Sequence, residues 1–286
     1  MNNRENFLKE HLSNCRLCPR ECGIDRYSGK TGVCGIGRYA KVASFSLHFG
    51  EEPPLSGWGG SGTIFFSGCN LKCVFCQNYE ISQLSKGDEA TEEKLALMML
   101  HLQSRGAHNI NLVSPSHVAA QILAAMGIAK EMGLAIPTVY NSGGYDSVET
   151  LKMFEGKIDI YMPDAKYADA VKAGKYSSVK NYPEVNQAAI KEMHNQVSDL
   201  KLSNKGIAER GLIVRHLVMP LNIADSKKII DFLADEVSQN TYFNLMDQYR
   251  PCYNAFNYKE LNTGIDQNEF IQLYYYAKNK GLDLTH

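Results

Sequence analysis

From Thr63 onward, short runs of apolar and β-branched residues alternate with longer stretches whose apolar positions recur every three or four residues. A run of about five such residues closed by Gly, Ser or Asp suits a buried strand, and the 3.6-residue recurrence suits a helix with one covered face. TIFFS (63–67), NINLV (109–113), IPTVY (136–140), IDIYM (158–162), GLIVRHLVM (211–219) and TYFNLM (241–246) are therefore predicted strands. Between and after them, helices are predicted over 91–105, 116–132, 146–155, 168–174, 182–200, 225–237 and 266–280. The first of these has Thr91 as N-cap and Glu92 and Glu93 in its opening turn, where acidic groups favour the helix. Strands alternating with helices imply βαβ units and a parallel sheet. Six units are fewer than the eight of a complete barrel. The fold class is α/β, either a partial (β/α)6 TIM-type barrel or a doubly wound sheet. In both, ligands sit at the C-terminal ends of the strands.

Residues 1–60 show no such alternation. They read as a small, irregular, Cys-rich N-terminal lobe with turn-rich sections GIDRYSGKTGVCGIGR and GEEPPLSGWGGSG, preceding a barrel over 61–286.

Composition narrows the picture. The 286 residues carry a formal net charge of -1, and the basic residues are dispersed in runs no longer than a pair, which is not the footprint of a nucleic-acid binder. A polar N-terminus and the lack of any apolar run of about 18 residues predict neither a signal peptide nor a membrane span, hence a cytoplasmic protein. In that compartment thiols stay reduced, so eight cysteines point to metal or redox chemistry.

Three of those cysteines, Cys69, Cys73 and Cys76, follow the first predicted strand in FFSGCNLKCVFCQNYEIS. A C-x3-C-x2-C loop can wrap a small polyhedral object from three sides. A [4Fe-4S] cube is normally held by four thiolates, so three leave one iron with an open position. A zinc loop that takes a fourth ligand from Cys252 or a histidine is the alternative reading of the same spacing.

The motif and its placement resemble the radical S-adenosylmethionine (SAM) enzymes. Over about residues 15–255 the chain is similar to pyruvate formate-lyase activating enzyme-like proteins, related to glycyl-radical activases. The stretches that carry this are RGAHNINLVSPSHV, VYNSGGYDS, DIYMPDAKYAD and VRHLVMP, beside the cysteine loop itself. The resemblance implies a partial (β/α)6 barrel with a [4Fe-4S] cluster on Cys69, Cys73 and Cys76 and SAM chelated at the open iron. It implies Phe75 beside the adenine, and Asp164, Lys166 and Arg215 as SAM contacts. Asn78 and Asn141, the latter in the turn NSGGYD, are further candidates. Where the activases have a GGE turn, this chain has Ser114-Pro115-Ser116-His117, and Ser114 and Ser116 are the acceptors expected for the SAM amino group. The implied partners are a reductase such as flavodoxin or ferredoxin and a glycyl radical enzyme as substrate. Another peptide or a small molecule is the alternative substrate, and a non-catalytic zinc scaffold is the alternative of another class.

Cys15, Cys18, Cys22 and Cys34 form a second group, C-x2-C-x3-C-x11-C, predicted to hold zinc or a second [4Fe-4S] cluster. Cys252, after the sixth strand, is a candidate hydrogen-atom donor or relay; its alternative is a small buried hydrophobe.

Overall fold

The computed structural model describes residues 3–284. Its strands are β1 (Ala40–His48), β2 (Ser61–Phe66), β3 (Asp88–Ala90), β4 (Ile110–Val113), β5 (Thr138–Ser142), β6 (Ile160–Pro163), β7 (Lys201–Leu202), β8 (Ala208–Leu217), β9 (Tyr242–Met246) and β10 (Asp283–Leu284). The helices are α1 (Asn3–Leu12), α2 (Pro53–Ser56), α3 (Tyr79–Ser82), α4 (Glu92–Ser104), α5 (Ala119–Glu131), α6 (Val148–Met153), α7 (Ala170–Ser177), α8 (Tyr182–Val197), α9 (Ser226–Glu236) and α10 (Gln267–Asn279).

The sheet order is β10-β9-β8-β6-β5-β4-β2-β1-β3. From β2 through β4, β5, β6, β8 and β9 every neighbouring pair is parallel. These six run in chain order, with no reversal of the kind that marks a doubly wound sheet. The molecule is thus a mixed α/β fold on a mostly parallel central sheet. All six predicted strands are present, each within a few residues of its expected limits.

Two faces of the sheet explain the apolar runs. Phe66, Ile110, Leu112, Tyr140, Leu212, Val214 and Phe243 pack in the main core with α4, α5, α8 and α9. Val139, Ile160, Met162 and Ile213 turn to the other face, where Leu55 of α2 meets them. Strands buried on both faces need apolar residues at successive positions, and burying each large side chain stabilises the fold by about 1.5–3 kcal/mol.

Residues 1–60 are more ordered than their sequence suggests. The polar α1 buries only Leu8 and Leu12. Strand β1 pairs antiparallel with β2 and with β3, extending the parallel sheet on one side. The connector GWGG (57–60) precedes β2, at the end of the strands away from the cysteine loop, and Trp58 lies against His108.

Candidate functional site

Strand β2 ends at Phe66 and its chain turns at Gly68, in a left-handed conformation with φ 78°. A Cβ there would lie 2.4 Å from the Cys34 carbonyl oxygen, so only glycine lets the loop pass this close to the N-terminal segment. The cysteine loop is then pinned by Lys72 N–H donating to the Ser177 carbonyl (3.1 Å) and Val74 N–H to that of Tyr176 (2.8 Å). Phe75 is buried against Tyr167 and Tyr249, each with its ring centre 6.3 Å away.

Cys69, Cys73 and Cys76 all line one cavity of about 340 Å³ at the C-terminal edge of the parallel strands. Among the described residues no three His, Cys, Asp or Glu side chains converge closely enough to hold a single metal ion. The three sulfurs instead border a space of the size that takes small-molecule ligands. The Ser177 hydroxyl donates to Cys73 Sγ (3.0 Å), Leu71 N–H to Cys69 Sγ (3.4 Å), and Ser82 Oγ lies 3.1 Å from Cys76 Sγ. Hydrogen bonds to sulfur are a means by which a protein tunes an iron–sulfur centre. Burial pushes the Cys69 thiol up to about 12 and raises Cys73 as well, against the pull of Lys166. Both therefore keep their protons until a cation displaces them. A soft donor set, an open cavity and donors aimed at sulfur fit a cluster held by three thiolates.

Asn78, Ser114, Ser116, Asn141, Asp164, Lys166 and Arg215 line the same cavity. They arrive from five different loops or strand ends, and the parallel order brings them together. Arg215, on β8, donates through Nε to Asp164 Oδ1 (2.9 Å) and through Nη2 to Asn141 Oδ1 (2.7 Å). Lys166 Nζ stands 2.5 Å from Asp164 Oδ2. Burial opposes charge on Asp164, but Arg215 and Lys166 outweigh it and hold its carboxyl below the ordinary range. Glu51 and Glu52 lie 4.0 and 3.9 Å from Arg215 Nη1, and burial raises the Glu51 carboxyl above its usual range. Arg215 is thus an internal ion-pair partner that also forms part of the cavity wall.

Two of the walls are preset. Ser114 has φ 61°, unusual for a residue with a side chain, and its N–H donates to the Asn141 carbonyl (2.8 Å). The 141–146 turn is fixed by Asp146, which accepts from Tyr140 Oη (2.9 Å) and Ser142 Oγ (2.6 Å). Gly144 (φ 72°) could not carry a side chain, since a Cβ would lie 2.0 Å from the Asp164 carbonyl. From α8, Tyr182 Oη donates to the carbonyls of Gly143 and Asp164, and Asn186 to those of Gly144 and Asp164.

Cys252 lies outside this lining, half-buried before the turn Tyr253–Asn257. Its neighbour Tyr253 stacks on Tyr79 of α3, with ring centres 4.9 Å apart. Ser142, Gly143, His117, Met219 and Gln248 also line the cavity. Ser142 and Gly143 belong to the NSGGYD turn, His117 to the Ser114–His117 turn and Met219 to VRHLVMP, whereas Gln248 has no motif of its own.

The four N-terminal cysteines line a separate cavity together with Arg20, Arg26, Asn70 and His117. Cys15, Cys18 and Cys34 are buried and Cys22 half-buried, on turns closed by Cys15 N–H to the Ile24 carbonyl and Gly23 N–H to that of Cys15.

Comparison with known proteins agrees with the chemistry of the thiol loop. The family described as 4Fe-4S single cluster domain matches residues 55–197, which hold β2, the cysteine loop and the elements through α8. Two uncharacterized proteins of Methanocaldococcus jannaschii are similar over most of their length. One is 31% identical over 98% of this chain and 79% of its own, the other 25% identical over 86% and 73%. The chain belongs to the 4Fe-4S single cluster domain family, and is an iron–sulfur protein.

Proposed function

We propose that this chain is a radical SAM enzyme built on a partial (β/α)6 barrel, with its cluster on Cys69, Cys73 and Cys76. The observation that carries it is one cavity whose wall combines exactly three thiols with Asn78, Ser114, Ser116, Asn141, Asp164, Lys166 and Arg215. When bound there, a reduced [4Fe-4S] cluster supplies one electron that splits the C5′–S bond of SAM into methionine and a 5′-deoxyadenosyl radical, which takes a hydrogen atom from substrate.

The chain's own residues bind and orient. Ser114 and Ser116 offer hydroxyl acceptors to an ammonium group, and the Arg215–Asp164–Lys166 array offers both charge signs to a zwitterionic amino acid end. That array is held rigid by Asn141 and α8, so little ordering is lost when the cosubstrate enters. Phe75 and the 141–146 turn exclude water from the apolar side. Among the described residues no helix is long and apolar enough to cross a membrane. A cytoplasmic setting with a flavodoxin- or ferredoxin-type donor completes the reading, and a glycyl radical enzyme is the proposed substrate by similarity to activases.

Anaerobic reconstitution with iron and sulfide, then reduction in the presence of SAM, tests this by chromatography. The expected result is 5′-deoxyadenosine and methionine in equal amounts. A fully loaded cluster that yields neither would refute the assignment.

A further inference from the structure

The N-terminal cavity contains an electrostatic imbalance. Arg26 is 1% exposed, among the least accessible side chains of the molecule. Its guanidinium donates to the carbonyls of Gly37 (3.2 Å) and His117 (2.6 Å), and Nη1 lies 3.5 Å from Cys15 Sγ. No carboxylate pairs with it among the described residues, and its Nη2 is buried with no hydrogen-bond partner. Arg20, on the same wall, donates to the carbonyls of Asn70 (2.8 Å) and Ser178 (2.9 Å) and likewise has a buried Nη2 with no partner. The one acidic residue on this lining, Glu21, is exposed.

An isolated buried cation is costly, and a guanidinium cannot shed its proton to escape the cost. Besides His117 and the exposed Glu21, the charge-capable groups that line the cavity with these arginines are the thiols of Cys15, Cys18, Cys22 and Cys34. Neutral thiols would leave the positive charge uncompensated. Four thiolates around a divalent metal or a [4Fe-4S]²⁺ cube carry a net charge of about −2, which two guanidinium groups would balance. No three of these thiols converge on a single metal ion, so we infer that Cys15, Cys18, Cys22 and Cys34 hold a [4Fe-4S] cube, whose charge Arg26 and Arg20 neutralise.

The position gives it a consequence. Asn70 and His117 line both cavities, so the centre is separated from the three-cysteine pocket by one layer of side chains. Asn70 follows Cys69 directly, and its backbone carbonyl is the acceptor of Arg20. The centre therefore braces the loop that holds the first site.

Metal and sulfide counts on the full chain with Cys69, Cys73 and Cys76 all changed to Ala isolate this site from the other. The inference predicts a remainder of about four iron with four sulfide per chain. A variant with native circular dichroism that retains zinc alone, or neither iron nor sulfide, overturns the inference, whatever the fate of the proposed enzymatic role. Should that variant not fold, the loss of about four iron from Cys18→Ser/Cys34→Ser relative to the natural sequence supports it, and an unchanged iron content overturns it. Arg26→Met is expected to speed metal release to a chelator by about 10- to 100-fold, as for other groups that support metal ligands.

Discussion

The two thiol-lined cavities stand side by side yet differ in what surrounds the sulfur. Three cysteines border a roomy pocket whose wall mixes an acid, two bases, amides and hydroxyls. Four cysteines border a small one walled by two arginines, with the thiols themselves and an exposed Glu21 as its acidic groups. A site that must admit a second molecule needs a free coordination position and polar groups already paired with one another. A site that only holds its metal can spend every ligand on it and set fixed counter-charge around it. On the proposed reading, the contrast separates a reacting centre from a supporting one.

That contrast is broken most severely by removing a thiol. Cys73→Ala should lower 5′-deoxyadenosine formation by more than about 100-fold while leaving the metal of the N-terminal group in place, as elemental analysis would show. Cys18→Ser should do the reverse to the metal count.

Arg215→Ala comes next. It removes the cation shared by Asp164, Glu51 and Glu52, leaving Lys166 to Asp164 alone. Breaking a buried pair in this way should cost about 3–5 kcal/mol in urea unfolding. If Arg215 were a mere cavity ornament, stability would be unchanged.

Ser177→Ala is a finer probe. It deletes the hydroxyl donor to Cys73 Sγ but no ligand. A lower reduction potential of the three-cysteine cluster and a turnover reduced by about 10-fold are expected, with iron content unchanged. An unaltered potential would mean that Ser177 only packs.

A further effect is on pH dependence and lies outside both cavities. His216 is fully buried, its Nδ1–H donating to the Ala165 carbonyl while Nε2 accepts from Ser226. Burial lowers its pKa to about 4, against about 6.5 in an unfolded chain. Between those values the unfolded chain takes up a proton that the folded one refuses, so stability declines as pH falls from about 6.5 toward 4, by up to about 1.4 kcal/mol per pH unit. Unfolding of His216→Gln across that window should show a shallower decline than the natural sequence.

Much of this was legible before any coordinates. The six core strands announce themselves because two-sided burial forces consecutive apolar residues, as in INLV and IYMP. The cysteine loop and PDAK were readable because their spacing carries the chemistry. Helix α1 was not, since ten mostly polar residues that bury only Leu8 and Leu12 leave almost no periodic signal. Strand β1 was missed because over half of AKVASFSLH stays partly or fully accessible beside the core sheet. The role of Arg26 depends on a contact with His117, 91 residues away, and no local pattern encodes such burial. Arg215 was singled out as a SAM contact, but its three acidic neighbours, Asp164, Glu51 and Glu52, come from two distant segments.

The central claim is that the three-cysteine pocket binds SAM at a cluster with an open corner. It is tested most directly by electron paramagnetic resonance on the reduced Cys18→Ser/Cys34→Ser variant, with and without SAM labelled with ¹⁷O at its carboxylate. The account predicts a changed cluster signal on adding SAM and a resolved coupling to the label, showing the carboxylate on iron. A cluster signal that is indifferent to SAM, with no coupling, would contradict it.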